Sequence, residues 1–244
     1  MGQAELYGTA TPTSHLRWPS LMSFSGIDGA GKSTQIGALY SRLSEAGVHV
    51  RVMTFWDDIA VLGRARESLS HALFKGEKGV GAPGKPVLRR DKDVRSWYMT
   101  VARFLLYFLD SLRLSVVVAK ISPTGDTDVF VFDRYLYDEL ANLNLEGRLS
   151  RAYARLLLKF IPHPDIAYLL DADPAQACER KPEYRLDFVA TNRASYLELS
   201  ALAGNITVIP PLAAEEVARR VLQELSRQLP ANSRLVSHGL LTSM

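Results

Sequence analysis

The chain has 244 residues, 47% of them apolar, and a formal net charge of +3 from 29 basic and 26 acidic side chains. That length and apolar share suit one α/β domain with small appendages and exclude disorder for the bulk of the chain. The charge suits an anionic substrate but is too weak and dispersed to argue for nucleic acid, and the single cysteine, Cys178, excludes an internal disulfide framework and suits a reducing cytoplasm.

In chain order, "LMSFSGI" (21–27) reads as a buried strand running into a glycine-rich loop. A helix follows over 32–46, with Gly47 placed to stop it. "VHVRVMTFW" (48–56) is a second, valine-rich strand, and a helix is expected from Asp57 to Phe74. Residues 75–90, "KGEKGVGAPGKPVLRR", read as a loop, either a solvated connector or a basic flap over phosphates. A long helix covers 91–120; Arg103, Asp110 and Arg113 interrupt its apolar stretch, so it reads as amphipathic and buried and not as a membrane span.

"DVFVFDR" (128–134) and "PDIAYLLDAD" (164–173) are the third and fourth strands, with helices over 136–142 and 150–160 between them. A helix at 174–179, a polar loop and a helix to about Leu202 lead to a fifth strand, "ITVIP" (206–210), and a closing helix over 213–228. Strands that alternate with helices predict a parallel sheet covered on both faces.

Three segments carry chemistry. Gly26 to Ser33, "GIDGAGKS", fits the phosphate-binding pattern G-x-x-x-x-G-K-[ST] between a strand and a helix. Its glycines let backbone amides turn toward phosphate oxygens, and the helix N-terminus adds partial positive charge. Gly26, Gly29, Ala30, Gly31, Lys32, Ser33 and Thr34 are therefore expected to hold a nucleoside triphosphate, with Lys32 on its outer phosphates and the Ser33 hydroxyl on Mg²⁺.

Next, Asp133 and Arg134 stand at the carboxyl end of the third strand, the edge that faces the ligand crevice in an open parallel sheet. Asp133 can hold Mg²⁺ through water or orient the attacking phosphate, and Arg134 can bind an anionic acceptor; a structural ion pair is the alternative. Finally, Arg180, Lys181 and Arg185 crowd around Pro182, as in a loop that closes over a phosphoryl group in flight or as in a plain solvated loop.

These segments together resemble the thymidylate kinase family of nucleoside monophosphate kinases, from about Leu21 to Glu224. "GIDGAGKST" is similar to the family's opening, "FDRY" to its Asp-Arg-aromatic motif, and "YLLDADPAQACERKPEYR" to its strand, proline and lid, with Arg180 at the first lid arginine. The resemblance implies an α/β, three-layer P-loop kinase fold: a five-stranded parallel sheet flanked by helices, with a mobile lid. It implies an extension at 1–19, the kinase domain at 20–229 with its lid at about 178–188, and a tail at 230–244.

It further implies that the γ-phosphoryl group of Mg·ATP passes to a nucleoside monophosphate such as dTMP, and that the long helix serves as a homodimer face, although that helix would equally suit core burial. Asp28 and Arg134 would position the acceptor, and Lys32, Arg180 and Arg185 would stabilise the transferring group, Arg180 also touching ATP.

The acceptor side departs from the family pattern. "LYDELANL" has Asp138 and Asn142 in place of a small polar residue and an Ala-Tyr-polar run, and Ser111 stands where an arginine is expected. "TFWDD" replaces an arginine-containing turn after the second strand. Arg103, Tyr107 and Asp110, spaced i, i+4, i+7, share one helix face, so Arg103 is a candidate for the missing cation and Tyr107 for stacking on a base. Phe55 and Trp56 are candidate walls of the acceptor pocket. A different acceptor, such as a nucleoside or sugar, and a nucleotide switch without transfer are the competing readings.

Overall fold

The computed structural model describes residues 20–61, 97–121, 127–143, 145 and 147–228. The expected helix past residue 61, the 75–90 loop, the first turns of the long helix and both terminal segments lie outside the described residues.

Five strands form one parallel sheet: β1 (Leu21–Ser25), β2 (Val50–Thr54), β3 (Val129–Asp133), β4 (Ile166–Leu170) and β5 (Ile206–Ile209), in the spatial order β2-β3-β1-β4-β5. The central strands β1 and β4 are buried along their whole length, which is why they read as unbroken apolar runs: both faces of an interior parallel strand are covered.

Side-chain alternation divides those runs between two cores. Met22, Phe24, Val129, Val131, Ile166, Tyr168 and Leu170 pack with α1 (Lys32–Glu45) and α7 (Ala214–Gln228). Leu21, Phe130, Phe132, Ala167 and Leu169 point the other way. They meet α2 (Trp97–Lys120), α3 (Leu136–Ala141), α4 (Arg148–Phe160) and α6 (Leu186–Ala203). This is the expected three-layer arrangement. Each fully buried Phe or Leu in these layers contributes roughly 1.5–3 kcal/mol of burial.

Local signals set several boundaries. Asp173 caps α5 (Pro174–Arg180) by accepting from the Gln176 N–H at 3.0 Å, with Pro174 in the first turn. Gly204 ends α6 in the left-handed region, φ 70°. The second strand is shorter than expected, ending at Thr54 and not at Trp56. Phe55–Ile59 then form a single π-helical turn closed by the Ala60 N–H donating to the Phe55 carbonyl at 2.8 Å. Phe55 and Ile59 are both fully buried, and the Asp58 carboxylate accepts from the Thr54 N–H at 2.8 Å. Burying that pair and capping the turn outweigh extension of the strand.

Candidate active site

The phosphate-binding loop leaves β1 at the sheet's carboxyl edge, where Phe24 is in register with Asp133 of β3 and Tyr168 of β4. Gly26, Gly29 and Gly31 have φ of 144°, 85° and 89°. Space restricts two of them as well. A Cβ on Gly26 would stand 2.5 Å from the Leu170 carbonyl oxygen, and one on Gly29 would overlap the Ala177 carbonyl of α5. The loop is thus wedged between β4 and α5, and a larger residue is barred from position 29.

Lys32 opens α1. Its ammonium donates to the carbonyls of Gly26 at 2.6 Å and Ile27 at 3.0 Å, lacing the start of the loop to its end. Burial first, and the Arg134 charge second, lower its pKa to about 8 against the opposing pull of Asp28, Asp138 and Asp133. The N-terminus of α1 has no side-chain cap at Gly31, so its first amide groups suit the oxygens of a polyphosphate. Ser33 and Thr34 are exposed beside it, and Asp133 is half-buried at the end of β3.

Beyond the loop, Arg134 donates through Nη2 to the Asp28 carboxylate. Its Nη1 lies 3.7 Å from Asp138 Oδ1. Burial alone would lower the guanidinium's pKa, but Asp28 and then Asp138 outweigh it and hold the group above its ordinary range. Asp138 is itself buried. It accepts from the Ser25 hydroxyl at 2.7 Å, the Tyr135 N–H at 3.0 Å and the Tyr196 hydroxyl at 2.8 Å. Burial, and next the Asp138 charge, raise the Tyr196 pKa well above the usual phenol value, so the hydroxyl stays a donor.

The three cations around Pro182 do not act alike. Arg180 is exposed and donates to the Gln176 carbonyl at 3.1 Å, while the exposed Arg185 pairs with Asp187 at 3.1 Å. Lys181 instead turns inward, its ammonium 3.7 Å from Asp28 Oδ1 and 3.5 Å from Glu183 Oε1. Glu183 and Tyr184 are buried, so the connection between α5 and α6 is short and anchored. The two arginines expected at the reaction centre therefore point to their own neighbours, and the inward cation is a lysine.

On α2, Tyr107, Asp110 and Ser111 are buried and Arg103 is half-buried. Asp110 accepts from the Val61 N–H at 2.6 Å, and the Ser111 hydroxyl donates to the Phe108 carbonyl at 2.6 Å, spending itself on its own helix. Phe55 lies wholly inside the core, and Trp56, at 36% exposure, stands edge-on to it. Of this expected pair only Trp56 has surface to offer a ligand.

Sequence reasoning passed over two relationships. Arg193 of α6 grips Asp171, just past β4, through two hydrogen bonds of 2.6 and 2.7 Å. The Asp138–Tyr196 bond joins α3 to α6. Asp171 carried a signal, a carboxylate at a strand's carboxyl end; its partners carried none, because only folding brings them near.

A five-stranded parallel sheet of order β2-β3-β1-β4-β5, with a Gly-Lys-Ser loop leaving its central strand, defines the P-loop kinase fold. No family model matches the chain. It is, however, similar to curated proteins. A thymidylate kinase of Bifidobacterium longum subsp. infantis is 31% identical over 196 residues, covering 75% of this chain and 75% of that protein. A probable thymidylate kinase of Archaeoglobus fulgidus is 26% identical over 185 residues, covering 73% and 81%. Another, of Sulfolobus acidocaldarius, is 23% identical over 198 residues, covering 78% and 87%. The chain belongs to the thymidylate kinase family, and it is a phosphotransferase of the nucleoside monophosphate kinase type.

Proposed function

We propose that this enzyme transfers the γ-phosphoryl group of ATP to thymidylate, giving ADP and the nucleoside diphosphate. One observation carries the reading: Lys32, which grips the loop, and the Asp28–Arg134 pair occupy the same carboxyl edge of the sheet. An outer phosphate on the loop and an acceptor phosphate at Arg134 would then be neighbours. An acceptor phosphate oxygen attacks the γ-phosphorus, the bond to the β–γ bridging oxygen breaks, and its electrons leave with ADP.

The protein's part is positioning and charge neutralisation. The loop amides and Lys32 hold the donor phosphates. Arg134, kept in place by Asp28, binds the acceptor phosphate, and Arg180 and Arg185, with the inward-facing Lys181, supply positive charge to the transferring group. Magnesium would be held by Ser33 and, through water, Asp133; it would offset charge on the phosphates, and hard oxygen donors suit it. Among the described residues no cluster of three or more His, Cys, Asp or Glu offers a separate metal cage.

The described part of α2 presents an apolar stripe, Val101, Leu105, Phe108, Leu112 and Val116, between 46% and 60% exposed. It supports a homodimer. Among the described residues no helix is long and apolar enough to cross a membrane, and the single cysteine supports a cytoplasmic location.

The test is the purified protein with ATP, Mg²⁺ and a panel of dTMP, other nucleoside monophosphates, thymidine and simple sugars. We expect dTDP from dTMP with stoichiometric ADP. Diphosphate from another monophosphate alone would reassign the acceptor, and product from thymidine or a sugar alone would overturn the reading.

A further inference from the structure

Asp138 does more than a helix cap requires. It lies in the first turn of α3, where a bond to the Tyr135 N–H would satisfy the helix start, and a small polar side chain would serve as well. Asp138 places a carboxylate there instead. It is 3% exposed, and a buried carboxylate is costly unless its oxygens are paired. Both are. Oδ2 accepts from Ser25 at the end of β1 and from the Tyr135 N–H, at 2.7 and 3.0 Å. Oδ1 accepts from Tyr196 of α6 at 2.8 Å and faces Arg134 Nη1 at 3.7 Å.

Arg134 needs such support. Its φ of 71° makes it the one non-glycine residue with positive φ among those described. A long side chain keeps that backbone only where the surroundings hold it. The peptides on both sides of its Cα are pinned: its own N–H donates to the Phe24 carbonyl at 3.0 Å, and the next N–H, of Tyr135, donates to Asp138. Asp28 then engages one terminal nitrogen of the guanidinium while Asp138 faces the other.

We propose that Asp138 is a positioning residue that holds the backbone and guanidinium of Arg134 in the geometry that meets the acceptor phosphate, and that Tyr196 extends this hold to α6. The inference rests on the function proposed above for the acceptor role of Arg134.

The experiment compares Asp138→Asn and Tyr196→Phe, each alone and in an Arg134→Ala background, with dTMP and ATP varied separately. In the singles, kcat/KM for the acceptor falls by on the order of tenfold to a hundredfold while KM for ATP holds. In the Arg134→Ala background neither change lowers the rate further; losses that simply add overturn the proposal. The wild-type arm alone decides whether dTMP is the acceptor. A second measurement needs no acceptor: the Arg134 Nε–H signal in ¹⁵N–¹H spectra, assigned by its loss in Arg134→Lys. It shifts and exchanges faster with water in Asp138→Asn. An unchanged signal there overturns the proposal whatever the acceptor is. Where Asp138→Asn fails to fold, Tyr196→Phe carries the same comparison with the same two outcomes.

Discussion

Arg134 and Asp28 are hydrogen-bonded across the carboxyl edge of the sheet, so the residue after β3 and the phosphate-binding loop after β1 are set as one unit. Removing the acid therefore releases an arginine as well as a carboxylate. Asp28→Ala is expected to lower kcat/KM for the acceptor by on the order of 10²-fold, with a smaller effect on ATP binding, because the misplacement falls on the acceptor side. Steady-state kinetics with each substrate varied would check this; unaltered acceptor kinetics would count against the assignment.

Lys32 makes the site sensitive to pH. Its pKa of about 8 rises once phosphate charge lies beside it, so ATP binding takes up a proton above that pH. Affinity should fall as pH rises past about 8, approaching tenfold per unit. In Lys32→Arg, whose side chain stays charged, this dependence should vanish. Calorimetric titration across pH 7 to 10 reads both variants. The ligand-free protein behaves inversely. With the folded pKa depressed to about 8 from 10.5, the penalty is full below pH 8 and fades as pH rises toward 10.5. Relative to Lys32→Met, the wild type should gain stability across that window, up to roughly 3 kcal/mol.

Two glycines of the loop separate backbone strain from lack of space. Both have positive φ, but a Cβ on Gly29 would overlap the Ala177 carbonyl, whereas one on Gly31 would meet nothing within 4 Å. Gly31→Ala should cost about 1–2 kcal/mol from the left-handed backbone alone. Gly29→Ala should cost more and push α5 away from the loop. Denaturant unfolding of the pair tests the order; equal losses would contradict the packing argument.

Arg193→Ala should destabilise the fold by about 1–2 kcal/mol, since it strands Asp171, whose side chain is only 9% exposed, and forfeits a two-bond charged pair. The loss stays small because Arg193 is itself 35% exposed and screened by solvent. Adding Asp171→Asn should recover part of the loss. Thermal unfolding of the single and double variants gives the coupling directly.

The stripe on α2 predicts an assembly. Leu105 and Phe108, 60% and 46% exposed, lie one turn apart on the same face. Sedimentation at micromolar concentration should show a dimer for the wild type and a monomer for the Leu105→Glu, Phe108→Glu double variant. A monomeric wild type would remove the dimer from the proposal.

The sequence by itself determined the five strands, the described α-helices and the Gly26–Gly31 loop with Lys32 after it, because these signals are local. A buried parallel strand reads as an apolar run, and a phosphate-binding turn needs its glycines and lysine at fixed spacing. Asp133 and Arg134 were legible for the same reason, as polar residues ending an apolar strand. Tertiary structure alone decided which charges meet. Asp138 and Tyr196 are 58 residues apart, and no spacing rule joins them. Lys181 turns inward while Arg180 and Arg185 turn out, because burying Glu183 and Tyr184 sets the path of the chain between α5 and α6. The second strand stops at Thr54 because Phe55 and Ile59 are both drawn into the core. In each case packing fixed a direction that residue type alone leaves open: composition supplied the charges, and the fold chose their partners.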